Sequence, residues 1–150
     1  MRHLPALLAL SLSVALAPQA VARTPAVLAI GQVQGSGPRS PLEGRQVTIE
    51  GFVSADLRAG LGGVFLQDAG DRDPATSDAL FVQMDPARAL PAGQWLRVTG
   101  TVQELAAGKG GQTLTALQAE TVAAARARPA PGITVLEAVP ASWEALEGMK

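Results

Sequence analysis

The sequence predicts an all-β domain: five short strands closing a small barrel, behind an N-terminal signal peptide and ahead of a short helical or strand-like tail. Three observations carry this expectation. Apolar and polar residues alternate over short stretches, the period of a half-buried strand. Clusters of Gly, Pro and Asp bound those stretches. Two of the stretches also share one pattern with a central glycine, Val47-x-Ile49-x-Gly51-x-Val53 and Leu96-x-Val98-x-Gly100-x-Val102.

The elements follow in order. Val27 to Ile30 reads as a short strand in a lead segment that spans residues 23–42. Gly35-Ser-Gly-Pro38 breaks any regular structure after it. Gln46 to Ser54 is the first long strand, with Val47, Ile49 and Val53 on one face. Gly51 shares that face, and a mid-strand glycine marks a bulge or a sharp bend. Gly63 to Gln67 and Ala79 to Met84 form a pair joined by an acidic loop. Asp85 to Gln94 carries two prolines and reads as a connection with room for about one helical turn. Trp95 to Gln103 is the second long strand, followed by the flexible tip Gly108-Lys-Gly-Gly111 and a last strand from Gln112 to Val122. Residues 43–124 are therefore the domain proper, and 125–150 a linker and tail. Within that tail, Ile133 to Leu136 suggests a strand. Pro140 to Glu147 suggests a short amphipathic helix with Ser142 as its N-cap. Two long strands bent at a glycine are what a small barrel needs to coil shut, so an OB-fold is the leading expectation.

Export is read from the first 22 residues. A basic start, Met-Arg-His, precedes an apolar run from Leu4 to Ala17 and a small-x-small site at Ala20-Val-Ala22. That is the layout of a cleaved signal peptide, too short to span a bilayer as an anchor. The expected product is secreted or periplasmic and has no membrane anchor. Cleavage after Ala22 removes His3, the sole histidine, and Arg2, leaving eleven basic residues against thirteen acidic ones, a net charge of −2. No basic surplus drives phosphate binding. Without histidine or cysteine, the usual nucleophile–base pairs cannot form. Nor does the exported chain have disulfides to stabilise it.

Two sets of residues are candidates for binding chemistry. Asp68, Asp71, Asp73 and Asp78 place four hard oxygen ligands on one loop, the chemistry of a calcium or magnesium site. Their spacing is not that of an EF-hand. The plainer reading is turn chemistry, in which aspartates accept hydrogen bonds from nearby backbone amides. The second set follows from strand parity. Val64, Leu66, Leu80, Val82 and Met84 belong to the core face, so Phe65, Gln67, Phe81 and Gln83 share the other. Phe52, Trp95 and Arg97 lie on the corresponding face of their strands. Aromatics, amides and an arginine on one sheet face suit base stacking against a single-stranded nucleic acid, DNA or RNA. Lys109 at the hairpin tip, with Arg126 and Arg128, would meet phosphates. The plainer reading packs these aromatics beneath the lead segment or the tail.

The same residues carry a family resemblance. The ordered series is Ile30-Gly-x-Val-Gln-Gly35, Val47-Thr-Ile-Glu-Gly-Phe-Val53, Phe65-Leu-Gln-Asp68, Gly70-Asp-x-Asp-Pro-Ala-Thr-Ser-Asp78, Arg97-Val-Thr-Gly-Thr-Val102 and Trp143-Glu-x-Leu-Glu-Gly-Met149. It resembles the N-terminal OB domain of secreted bacterial endonucleases of the ExeM/NucH type. The resemblance implies a non-catalytic module that assists nucleic-acid engagement or positions a metal-dependent nuclease domain, in cis or in trans. It also implies that the chain stops short of that nuclease domain. The alternative expectation is a periplasmic binding or scaffold protein that uses the acidic loop for a cation or a protein partner.

Overall fold

The computed structural model describes residues 25–90, 93–108, 110–134, 136, 140 and 143–149. The signal-peptide segment, Lys109 and Ser142 lie outside the described residues. Six strands form one mixed sheet: β1 (Val27–Leu28), β2 (Gln46–Asp56), β3 (Gly63–Gln67), β4 (Ala79–Gln83), β5 (Trp95–Ala106) and β6 (Thr113–Ala124). The order is β1-β2-β3-β4-β6-β5, and β5 pairs back onto β2, so five strands make a closed ring. The long strand β2 serves both neighbours: residues 46–52 pair with β5 and residues 52–56 with β3. Within the ring β4 and β6 run parallel, and every other pair is antiparallel. Short β1 adds in parallel to the outside of β2. Closure removes the exposed edges that an open sheet would present to other chains.

The ring interior is aliphatic. Ile49, Val64, Leu66, Leu80, Val82, Leu96, Val98, Val102 and Leu117 are fully or almost fully buried there. All five core positions expected on β3, β4 and the residue after β4 lie in that cluster, Met84 included. Gly51 and Gly100 point inward, as their parity requires. A Cβ on Gly51 would fall 2.7 Å from that of Leu66, and one on Gly100 would strike the Gln118 carbonyl. The β5–β6 register slips between Thr99 and Gly100, so that glycine sits at a bulge. On β2 the slip comes later, between Val53 and Ala55. Gly51 thus provides close approach between strands, and Gly100 both close approach and the bulge.

Two helical turns were not legible from periodicity. Helix α1 (Ile30–Gln34) takes over after Leu28, so the expected lead strand is shorter than Val27 to Ile30. Its Ile30 and Val33 enter the core fully buried. The Gln34 amide donates to the Ala79 carbonyl at 2.7 Å, which ties the helix to β4. A single turn, α2 (Arg58–Leu61), joins β2 to β3 and ends on Gly62 at φ +70°. In the tail, described residues 133, 134 and 136 are not in a strand, and only a 3-10 turn at Glu144–Leu146 stands in the expected helix. Among the described residues, no helix is long and apolar enough to cross a membrane.

Candidate binding face and acidic loop

Every aromatic residue of the strands lies on the outside of the ring. Cross-strand register builds two pairs. Phe52 faces Trp95 across β2 and β5, with ring centres 6.2 Å apart and edge-on. Phe65 faces Phe81 across β3 and β4, with centres 5.2 Å apart. Gln67 lies opposite Phe52 on one side and Ala79 on the other, and Gln83 closes the row opposite Gly63. Arg97 lies opposite Glu50 and binds its carboxylate at 2.6 Å. The seven expected residues of the strands therefore do share one face.

That face is covered in part: Phe52, Phe65, Gln83 and Arg97 stay partly exposed, and the other three residues are buried. Trp95, Phe81 and Gln67 are 4%, 2% and 3% exposed. Over Trp95 and Phe65 the cover is the chain's own segment after β6, which meets the ring exterior at two places. Its first anchor is Arg128. The guanidinium sits 4.2 Å over the Trp95 ring, and the Arg128 carbonyl accepts the Trp95 indole N–H at 2.8 Å. The same guanidinium ion-pairs with Glu50, which therefore holds both Arg97 and Arg128. Burial pushes the Glu50 carboxyl up, but the two arginines outweigh it and hold the group below the ordinary carboxylate range. The second anchor is the turn at 143–149. Gly148, at φ +70°, lies directly on the Phe65 ring, where any Cβ would collide. The buried Ser77 hydroxyl donates to the Glu147 carbonyl at 2.6 Å. Sequence reasoning gave neither Glu50 nor Glu147 a role, and read Arg128, in the linker, as a phosphate contact. Their signal, an acid opposite Arg97 and a Glu-Gly pair near the end of the chain, needs the register to be interpreted.

The acidic loop is organised by its own backbone. Asp68 accepts the Ile30 amide at 2.7 Å and the Gly70 amide at 2.8 Å. Through Ile30 it caps α1 from across the fold, supplying an acceptor for a helix-end donor that otherwise has none. Asp71 accepts from Asp73, Asp73 from Ala75, and Asp78 from Asp71. The Asp68–Gly70, Asp71–Asp73 and Asp73–Ala75 contacts are Asx-type turns, the Asp78 contact closes the loop, and Arg72 lies in the left-handed region at φ +70°. Burial is the main reason the Asp68 and Asp78 carboxyls titrate above the ordinary range. The negative charge of Asp71 adds to both, and Asp68 adds to Asp78. Among the described residues, no group of three or more acidic side chains has the geometry to hold a metal ion.

The two candidate sets meet at one place. A cleft of about 570 Å³ is lined by Gln67 and Trp95 of the face, Asp68 and Asp78 of the loop, and tail residues from Arg128 to Thr134 with Met149. Asp71 and Asp73 are not part of its lining. No family model matches the chain, and no curated protein matches it.

Proposed function

We propose that this chain is an exported, non-catalytic OB-fold module of the secreted-endonuclease type. Its outer face fixes the segment that follows the ring and so positions a nuclease domain, in cis or in trans. The ring order supports the fold part of this reading. Three consecutive antiparallel strands, a parallel β4–β6 pair and a closing β2–β5 pair are the connections of a five-stranded OB barrel. The observation that carries the functional part is the covered face. Residues suited to stacking bases are instead stacked on Arg128 and Gly148. A face that grips its own chain at two points sets the direction of whatever is joined to that chain. Nucleic-acid engagement is then secondary and weak, which accords with the net charge of −2.

The test is the solution contact map of the exported chain. Nuclear Overhauser contacts from Gly148 to the Phe65 ring, and from the Trp95 indole proton to Arg128, are expected. A tail free of contacts at both anchors would defeat the positioning role. A single-stranded oligonucleotide titrated by fluorescence anisotropy should bind no tighter than about 1 μM at physiological salt, the tight end of the nonspecific range. Submicromolar binding would return the face to a stacking role. The alternative, an exported scaffold using the acidic loop for a cation or protein partner, is favoured by the cleft in which Asp68 and Asp78 meet the tail. Calcium or magnesium that shifts the unfolding midpoint would support it.

A further inference from the structure

The second anchor has an acidic environment. Glu147 is half-buried and lines a cleft of about 420 Å³ with Glu144, Arg39 and Thr113. Three sets of charged groups face it. Glu144 comes from its own turn and Glu104 from β5, and both act on Glu147 as like charges. Arg39 comes from the lead segment, but Glu43 already holds its guanidinium at 2.6 Å. Glu104 adds an independent observation. Its Oε1 accepts from the Ser40 amide and the Thr115 hydroxyl at 2.8 and 2.9 Å, while its Oε2 is buried with no hydrogen-bond partner. A buried carboxylate oxygen without a donor is costly, and a second negative charge brought near it adds to that cost.

We propose that residues 143–149 form a proton-operated latch, docked on Phe65 while Glu147 is protonated and loosened when Glu147 ionises. The inference rests on the positioning reading, since it assigns a control to one of the two anchors named there. The linkage is direct. Docking moves Glu147, with Glu144 beside it, out of water and towards Glu104, so the docked form prefers the neutral acid. Burial first, then those two charges, push the Glu147 carboxyl up to about 7. Below the ordinary carboxylate range both forms are protonated and docking is strongest. As pH rises from there towards 7, the free turn gives up its proton first, and the preference for docking falls. At the far end of that window the latch is loose, and the Phe65–Phe81 pair comes within reach of solvent.

The experiment is a pH titration of the carboxyl carbon of Glu147 by nuclear magnetic resonance. The Gly148 amide and the Phe65 ring are followed in the same samples. Glu147 is expected to titrate near neutrality, with the Gly148 and Phe65 signals moving at the same midpoint. The undocked population should rise about tenfold from pH 5 to pH 8, the full linkage being reduced for the half-exposure of the group. Glu147→Gln should keep the turn docked across that range and flatten both curves. Glu144→Gln should lower the Glu147 midpoint without undocking the turn. Titration of Glu147 in the ordinary carboxylate range would overturn the latch, as would Gly148–Phe65 contacts that persist unchanged to pH 8. In the second case the positioning reading stands. If those contacts are missing at every pH, and in Glu147→Gln as well, the positioning reading fails together with the latch.

Discussion

The two anchors of the tail do the same mechanical work with opposite electrostatics. At the first, Arg128 meets an aromatic face and a carboxylate, so docking brings unlike charges together. At the second, Gly148 meets an aromatic ring while Glu147, already beside Glu144, is brought towards Glu104. The first therefore strengthens as its acid ionises and the second weakens. One segment held this way has an acid-sensitive end and a base-sensitive end, and near neutral pH only the second is poised to change. The difference teaches that covering an aromatic face and regulating the cover are separable. Stacking supplies the adhesion at both ends, and the charges beside each stack set the condition under which it holds.

The largest expected effect removes the platform under both anchors. Gly100→Val puts a branched side chain against the Gln118 backbone at the β5–β6 bulge. Overpacking there should cost about 3 kcal/mol. Gly51→Val should cost somewhat less, because its nearest obstacle, the Leu66 Cβ at 2.7 Å, stands further off than the Gln118 carbonyl does from a Cβ on Gly100. Urea unfolding monitored by circular dichroism measures both. Both anchors should weaken together in Gly100→Val. An unchanged midpoint would mean that β5 and β6 do not approach as closely as a closed ring requires.

How much of this comparison the sequence holds can be traced through particular residues. The short strand β3 was legible to the residue, Gly63 to Gln67, because turn signals flank a period-two pattern on both sides. The strands β2 and β5 were legible at their starts and β6 to within one residue, but all three ran further at their ends, to Asp56, Ala106 and Ala124, where the alternation fades. The parity rule sorted inner from outer residues correctly, since one face of each strand is uniformly aliphatic. The cover over the outer face was legible only as an alternative. Residues 125–134 have no regular structure and hence no period, and their docking depends on isolated contacts, the Ala125 amide on the Trp95 carbonyl and Arg128 on Trp95 and Glu50. Helix α1 was hidden for a related reason. Ile30-Gly-Gln-Val-Gln34 is a poor helix by composition, and two distant groups hold it: the Asp68 carboxylate at its start and the Ala79 carbonyl at its end. For the four aspartates, the sequence offered cation ligation beside the plainer reading of turn chemistry. The amide contacts of Asp68, Asp71, Asp73 and Asp78 are those of turn chemistry.

A middle-sized effect isolates the first anchor. Trp95→Ala removes the edge-on contact with Phe52, the platform beneath Arg128 and the indole hydrogen bond. About 2 kcal/mol is expected, below the usual cost of emptying a fully enclosed aromatic site because tail and solvent can relax into the gap. The signature that separates it from Gly100→Val is locality. Hydrogen exchange should accelerate in residues 125–134 well before the ring opens, with Gly148 still on Phe65. Equal acceleration throughout the chain would show that the tail is not a separable layer.

The smallest effect tests the electrostatic half of the comparison. Arg128→Met keeps an unbranched apolar stem over Trp95 but removes the charge that Glu50 and the indole ring share. Arg128 is 44% exposed as a side chain, so solvent screening limits its contribution. About 1 kcal/mol is expected from the cation–π contact and the partly screened ion pair together. The pH dependence is more telling than the size. Glu50 is held below the ordinary carboxylate range in the folded chain. Its contribution is therefore complete above that range and is lost as pH falls through its folded value. In the variant the Glu50 shift should shrink but persist, because Arg97 still binds the same carboxylate. The stability difference between wild type and Arg128→Met, followed by thermal melts from pH 3 to pH 8, should be largest at neutral pH and close towards pH 3. The corresponding difference for Glu147→Gln should run the other way, opening as pH rises. If both differences move in the same direction with pH, the two anchors do not differ in sign, and charge is not what distinguishes them.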